Sequence, residues 1–279
     1  MTTSMGSEPV IDLHIHTTAS DGTLTPEQIV HMATDSGFGA IAITDHDSVS
    51  GLEQALETAE QTACEVVPGV ELSLTVDGVD LHLLGYYIDW TYAPLLERLE
   101  SFRTVRAERA EKMVRNLNRL GISLSFEDVR NIAGSGAIGR PHVAEALVQA
   151  GVVHSTNEAF QKYIGYNGPA YEPKFKMSPT EGIALIRSAG GIAVLAHPAT
   201  VRRDALIPQF IAQGLQGLEV IHPDHNETTT QHYTNLARKL GLVMTGGSDF
   251  HGPGSSMSSL GEYTIPSAWL ADLKALRDR

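Results

Sequence analysis

The stretch Val10-Ile11-Asp12-Leu13-His14-Ile15-His16 decides how the rest of the chain is read. A short apolar run rich in β-branched residues reads as a buried strand. Side chains alternate between the two faces of a strand, so His14 and His16 share one face while Leu13 and Ile15 share the other. Two imidazoles aimed together from a rigid strand form half of a metal site, and the remaining ligands must come from elsewhere in the chain.

Working outward, the same event recurs. Further strands are expected at 40–44, 66–72, 79–87, 191–197, 218–222 and 242–246. Near-continuous apolar runs of this length suit a buried parallel sheet, and their alternation with helical segments argues for an α/β architecture. Ligand-type side chains sit where these strands end: Asp45-His46-Asp47 after the second, Glu71 at the end of the third, His197-Pro198 at the end of the fifth and Asp249-Phe250-His251 after the seventh, with His82 inside the fourth. A lone strand-end Asp can simply cap the next helix, but repetition at separate strand ends points to one convergent site. Imidazole and carboxylate together suit Zn, Mn or Fe. His31, His154 and His232 lie in helical or loop contexts away from strand ends and carry no such reading.

Helix starts are marked twice in the same way. Thr25-Pro26-Glu27-Gln28 and Ser178-Pro179-Thr180-Glu181 each combine a cap residue, Pro at the first helical position and Gln or Glu at the third. The helices that follow run into Gly37 and Gly190, the expected terminators. Between about 94 and 176 the alternation breaks. A long charged helix is expected over 95–120, with shorter ones at 126–132, 142–149 and 157–163. This divides the chain into an α/β domain at 8–93 and 177–279 and an inserted, mainly helical subdomain at 94–176.

Composition narrows the function. The 279 residues carry a formal net charge of -13 and 42% hydrophobic residues, enough for a substantial core. That charge argues against general binding of duplex DNA, which rests on Lys and Arg neutralising phosphates. It leaves room for a short or single-nucleotide substrate met by bound cations. Cys64 is the only cysteine, so neither an intrachain disulfide nor a zinc–thiolate cluster is available. The first ten residues lack a basic stretch followed by an apolar one, and no apolar run approaches the ~20 residues that span a bilayer. The expectation is a cytoplasmic protein without membrane partners.

The run I-D-L-H-I-H-T-T-A-S-D-G (11–22), followed by A-I-T-D-H-D (42–47), G-V-E-L (69–72), H-L-L-G-Y (82–86), A-H-P (196–198) and G-S-D-F-H (247–251), resembles the PHP (polymerase and histidinol phosphatase) family in order and over essentially the whole chain. The resemblance implies a distorted (β/α)7 barrel with two or three divalent metal ions at the strand C-termini, Mn2+ foremost, with Zn2+ or Fe2+ as alternatives. It implies a first position held by His14, His16, Glu71 and Asp249, a second sharing Glu71 and completed by His82 and His197, and a third held by Asp21, His46 and His251. Asp21 enters only through the resemblance, since Asp21-Gly22 otherwise reads as a turn. Asp45 and Asp47 are expected to orient His46.

Such a site makes hydroxide from water near neutral pH. The expected nucleophile is a metal-bridging hydroxide, and no Ser or Cys nucleophile is needed. Gly139-Arg140-Pro141-His142 puts Arg140 and His142 at a helix start, where backbone N–H groups also favour anions, and Tyr171-Glu172-Pro173-Lys174 leads back to the barrel. The G-R-P-H and A-Y-x-P-K segments resemble family members acting on nucleoside 3′,5′-bisphosphates and short RNA ends. Arg140, His142, Lys174 and His225 are therefore expected to bind a small phosphorylated nucleotide or short 5′-phosphorylated RNA, with His222 as a candidate proton donor. The rival readings are a histidinol-phosphate phosphatase, a PHP module assisting a DNA polymerase as a partner subunit, and a metal-free binding module.

Overall fold

The computed structural model describes residues 9–134, 138–173, 177–253 and 259–279. Seven strands form one sheet in chain order: β1 (Val10–Ile15), β2 (Phe38–Ile43), β3 (Glu65–Val76), β4 (Val79–Tyr86), β5 (Ile192–Leu195), β6 (Gly217–Ile221) and β7 (Val243–Gly246). Beyond the seventh strand, the chain returns to the first through an isolated parallel bridge between Ile15 and Phe250, with the His16 N–H donating to the Phe250 carbonyl at 2.9 Å.

The sheet is mixed where an all-parallel arrangement was expected. β1, β2 and β3 pair in parallel, as do β5, β6 and β7, but β4 runs antiparallel to both of its neighbours. The cause is local. Asp77 and Gly78 both adopt positive φ, 49° and 79°, between the paired Val76 and Val79. That is a two-residue type I′ hairpin, for which Asp-Gly is a favoured pair. β3 therefore continues past Glu71 for another five residues into the hairpin arm. Reversal of β4 places His82, opposite Ser73 in the register, at the sheet end where the parallel strands finish.

Period 2 sorts the apolar side chains into two layers. Ala40 and Ala42 of β2, Leu84 and Tyr86 of β4 and Ile192 and Val194 of β5 belong to one cluster, closed by Leu270 and Leu273 of the C-terminal helix, Ser267–Arg277. Ile41, Ile43, Leu81, Leu83, Ala193 and Leu195 belong to the other, against α1 (Pro26–Asp35), α2 (Leu52–Ala59) and α7 (Pro179–Ser188). Thr25 and Ser178 cap α1 and α7 with complete capping boxes, and Gly37 and Gly190 follow them in the left-handed region, as expected.

The helical block contains α3 (Ala93–Arg119), α4 (Phe126–Ala133), α5 (Arg140–Gln149) and α6 (Thr156–Ala159), the last running into a π-helical turn, Phe160–Ile164. α3 straddles two cores. Leu95, Leu99 and Phe102 pack with the sheet, while Ala110, Val114 and Leu117 pack with Val129, Val143, Leu147 and Ile164 in a separate cluster. A single 27-residue helix thus carries the block. Among the described residues, no helix is long and apolar enough to cross a membrane.

If the Asp77-Gly78 turn reverses the chain in the left-handed region, Gly78→Ala strains it by about 1 kcal/mol. Thermal unfolding should then fall by roughly 2–4 °C. An unchanged midpoint would rule out that turn geometry.

Candidate metal centre

The strand ends bring the sequence-predicted ligands together. Donor atoms from His14, His16, Glu71 and Asp249 lie within 4.8 Å of one another, as do those of His16, Asp21, His46 and His251, and those of His46, Glu71 and His82. His197 joins through Nε2, 3.1 Å from Glu71 Oε1 and 3.3 Å from His82 Nδ1. Glu71 is the hub: Oε2 lies 3.3 Å from both His14 and His16 and 2.9 Å from His46, and Oε1 lies 2.8 Å from His82.

The donor chemistry fits divalent cations. His14 Nε2, both ring nitrogens of His16, His46 Nδ1, Asp21 Oδ1 and Glu71 Oε2 are buried and lack a hydrogen-bond partner, although buried polar atoms are ordinarily paired. Several rings are also held by their outer nitrogen. His14 Nδ1 donates to Glu219 Oε1 at 2.8 Å, and His251 Nδ1 donates to the Asp249 carbonyl at 2.8 Å. Fixing Nδ1 in this way turns the Nε2 lone pair inward, the usual support for a metal-ligating histidine.

Electrostatics agree. Burial alone would push the carboxyls of Glu71, Asp249 and Asp21 up, but the surrounding imidazoles hold all three below the ordinary carboxylate range. Burial pushes His82 down to about 4, so it is a neutral donor at pH 7. For His16 burial also acts downward, but the adjacent Asp249 and Glu71 carboxylates, 2.9 and 3.3 Å from Nε2, prevail and raise it to about 10. The cluster attracts positive charge, as protons or as metal.

Backbone strain concentrates here as well. His197, Asp249 and Asp47 adopt positive φ of 25°, 51° and 46°. Such conformations persist where surrounding contacts over-determine them. The His197 N–H donates to Glu219 Oε2 at 2.7 Å, and Asp47 accepts the Ser73 N–H at 2.7 Å.

Some expectations need correction. Asp45 and Asp47 do not hydrogen-bond the His46 ring. Asp45 accepts from Thr17 N, Thr17 Oγ1 and Ser20 Oγ and so closes the loop after β1, while Asp47 accepts from Arg106 and Ser73. His225 is no free phosphate ligand, because Nδ1 donates to the Val220 carbonyl at 2.9 Å and Nε2 accepts the Ala199 N–H at 3.4 Å. His222 is only 1% exposed; Nδ1 accepts the Asp224 N–H and Nε2 lies 3.4 Å from Asp249 Oδ2. That contact steadies Asp249. Lys174 lies outside the described residues.

Arg140 and His142 do reach the site. One cavity is lined by Asp21, His46 and His82 together with Arg106, Arg109, Arg140 and His142. Arg106 donates to Asp47 and, at 2.9 Å, to Ser73 Oγ. Arg109 donates through Nε to the Glu172 carbonyl at 2.8 Å, but its buried Nη2 has no partner. Burial, with Arg140 and Arg106 nearby, pushes Arg109 down to about 10, still cationic at neutral pH. His142 accepts the Gly139 N–H on Nδ1 at 2.9 Å, and burial lowers its pKa.

Sequence reasoning missed Glu219, Arg106 and Arg109. Glu219 is fully buried in β6 and touches two histidines. Its signal was present, as a lone carboxylate inside the apolar run Leu218-Glu219-Val220-Ile221. The two arginines had none, because α3 is charged along much of its length.

Comparison with known proteins agrees with this geometry. Residues 12–165 match the PHP domain. The chain is 34% identical over 251 residues to the 5′-3′ exoribonuclease Rnm of Escherichia coli, covering 88% of this chain and 86% of that protein. It is 34% identical over 257 residues to the 3′,5′-nucleoside bisphosphate phosphatase of Chromobacterium violaceum, covering 90% of each. A crystal structure from Bifidobacterium adolescentis, classed as a metal-dependent phosphoesterase, superposes with a TM-score of 0.88 at 32% identity over 96% of both chains. The chain belongs to the PHP family and is a metal-dependent phosphoesterase.

Proposed function

We propose that this phosphoesterase removes the 3′-phosphate of nucleoside 3′,5′-bisphosphates and cleaves short 5′-phosphorylated RNA from its phosphorylated end. The observation that carries the reading is the shared cavity, which Arg106, Arg109 and Arg140 line together with Asp21, His46 and His82 of the histidine–carboxylate cluster. A substrate with one phosphate at the cluster and a second, non-reacting phosphate on the arginines uses both sets of side chains. Histidinol phosphate would leave the arginine wall empty. The names of the two relatives favour the same substrate class.

In this reading the cluster holds two or three divalent cations, Mn2+ foremost. His14, His16, Glu71 and Asp249 hold one, Glu71 with His82 and His197 a second, and Asp21, His46 and His251 a third. When bound, the cations supply Lewis acidity and lower the pKa of water near the scissile phosphate. Arg140 and Arg109 orient the second phosphate, and His142, neutral at pH 7 with Nδ1 occupied, has Nε2–H left to donate. The same reading treats the sheet as a distorted (β/α)7 barrel, supported by the Ile15–Phe250 bridge, and 94–176 as a substrate-binding subdomain, supported by its separate core. It takes the protein to be cytoplasmic, with no duplex DNA among its partners.

Loss of Arg140 removes a charge-assisted contact of ~1.5–3 kcal/mol. Arg140→Ala should lower kcat/KM for adenosine 3′,5′-bisphosphate by roughly ten- to a hundredfold. The loss should shrink for adenosine 3′-monophosphate, and Arg140→Lys should recover only part of it. Equal losses on both compounds would assign Arg140 to the reacting phosphate or to the fold. Faster phosphate release from histidinol phosphate than from the bisphosphate would overturn the substrate assignment.

The cluster itself is tested by proton counting. With His16 raised to about 10, the metal-free protein holds protons at neutral pH that cations must displace. Mn2+ uptake should release protons, and apparent affinity should climb with pH toward that value. His14→Ala should lose bound metal while keeping its secondary structure. Affinity that is flat between pH 6 and 9, or a fully loaded His14→Ala protein, would contradict the ligand set.

A further inference from the structure

We propose that Tyr166 is the stacking platform for the substrate's nucleobase; this rests on the nucleotide reading above. Tyr166 is 69% exposed, an unusual position for a large aromatic ring, and it stands outside the lining of the arginine-bearing cavity. Two ring contacts join it to that cavity. The Tyr166 and Tyr171 ring centroids are 5.2 Å apart, and the Arg109 guanidinium lies over the Tyr171 ring at 5.9 Å. A phosphate held by Arg109 therefore leaves its nucleoside within reach of the exposed Tyr166 face.

The turn carrying Tyr166 is built to hold it there. Gly165-Tyr166-Asn167-Gly168 closes with Gly168 N–H donating to the Gly165 carbonyl at 2.8 Å, and Asn167 takes the left-handed conformation at φ 64°. Tyr166 thus sits at the apex of a tight turn that Asn tolerates. Both glycines are obligatory by close approach. A Cβ on Gly165 would stand 2.3 Å from the Phe160 carbonyl oxygen, and one on Gly168 would stand 2.4 Å from that of Tyr163. Further bonds, from Gly165 N to Phe160 O at 2.8 Å and from Ala170 N to Tyr163 O at 2.9 Å, clamp the turn onto the π-helical turn. π-helical insertions are frequent at functional sites. The same turn also contributes Phe160 to the cavity wall, beneath the Arg140 guanidinium at 5.6 Å.

A ring left 69% exposed keeps apolar surface that a bound base can cover. Stacking needs only a π face, so it accepts every base. A tyrosine platform therefore selects nucleotides over phosphate esters without a base, and does so without reading sequence. That is the recognition required of an enzyme meeting the end of an RNA of any composition.

The test compares adenosine 3′,5′-bisphosphate with ribose 3,5-bisphosphate, which keeps both phosphates and lacks the base. Tyr166→Ala should raise KM for the nucleoside compound by about tenfold and leave its kcat within about twofold. KM for ribose 3,5-bisphosphate should not move, and Tyr166→Phe should behave as the unaltered protein. Equal changes on the two compounds, or no change on either, would overturn the platform while leaving the function proposed above intact. An unaltered protein that hydrolyses neither compound would overturn both.

Discussion

A carboxylate charge buried among imidazoles is the constraint around which this molecule is arranged. Glu71 is 1% exposed, yet its two oxygens face His14, His16, His46, His82 and His197. Burying an isolated charge costs several kcal/mol, so such a group survives only with compensating positive charge at close range. The fold delivers that compensation from separate strands. Parallel strands bring His14, His16 and His46 to one end of the sheet, and the Asp77-Gly78 hairpin turns β4 around so that His82 arrives there too. An all-parallel sheet would need a long crossover between β3 and β4 and would reverse the direction of β4, carrying His82 away from that end.

Around this hub lies a ring of contacts that fix direction rather than identity. Glu219 accepts from the His14 ring with one oxygen and from the His197 backbone with the other. It thereby ties β6 to β1 and to the turn after β5, and it holds His197 in a conformation that few residues adopt. Asp249 is strained in the same sense and is steadied by His222. Metal sites depend on such support because a ligand that can rotate away loses affinity. The strain at His197, Asp249 and Asp47 is therefore intelligible as part of the site, and its cost is borne by hydrogen bonds that would otherwise have no reason to be buried.

Much of this was legible in the sequence, and the part that was not has a physical reason. Ligand residues announce themselves because imidazoles and carboxylates at strand ends conflict with the apolar pattern around them, as at His14, His16 and His197. Helix starts at Thr25 and Ser178 are equally plain because capping is local. Glu219 was readable in principle by the same conflict. The mixed topology was readable too, since Asp-Gly between two alternating runs is a hairpin signal, but long apolar strands suggested parallel pairing first. Arg106 and Arg109 were not readable. On α3 they stand among other exposed charges, and only the tertiary placement of one helix face separates a surface cation from one lining a cavity. His225 failed for the converse reason: its two nitrogens are consumed by backbone groups that approach only in the folded chain.

α3 also explains how a protein of net charge -13 can present a site for anions. Its first half is locked into the main core, and from that anchored length it projects Arg106 onto Asp47, the residue after His46. Arg109 follows one turn later, facing the same cavity with an unpaired guanidinium nitrogen. The distance between the arginine wall and the ligand cluster is thus set within one rigid helix and one ion pair rather than by a flexible linker. Like charges at Arg106, Arg109 and Arg140 repel one another, and Asp47 pairs directly with Arg106 alone of the three among the described residues. That surplus of positive charge in a partly enclosed cavity is unfavourable in the free protein and favourable once an anion enters. Surface acidity elsewhere adds little, since exposed charges more than a Debye length away, about 8 Å at physiological ionic strength, are largely screened. Local arrangement therefore outweighs net charge, and the substrate class proposed above suits a cavity that arginines and metal-seeking ligands line together.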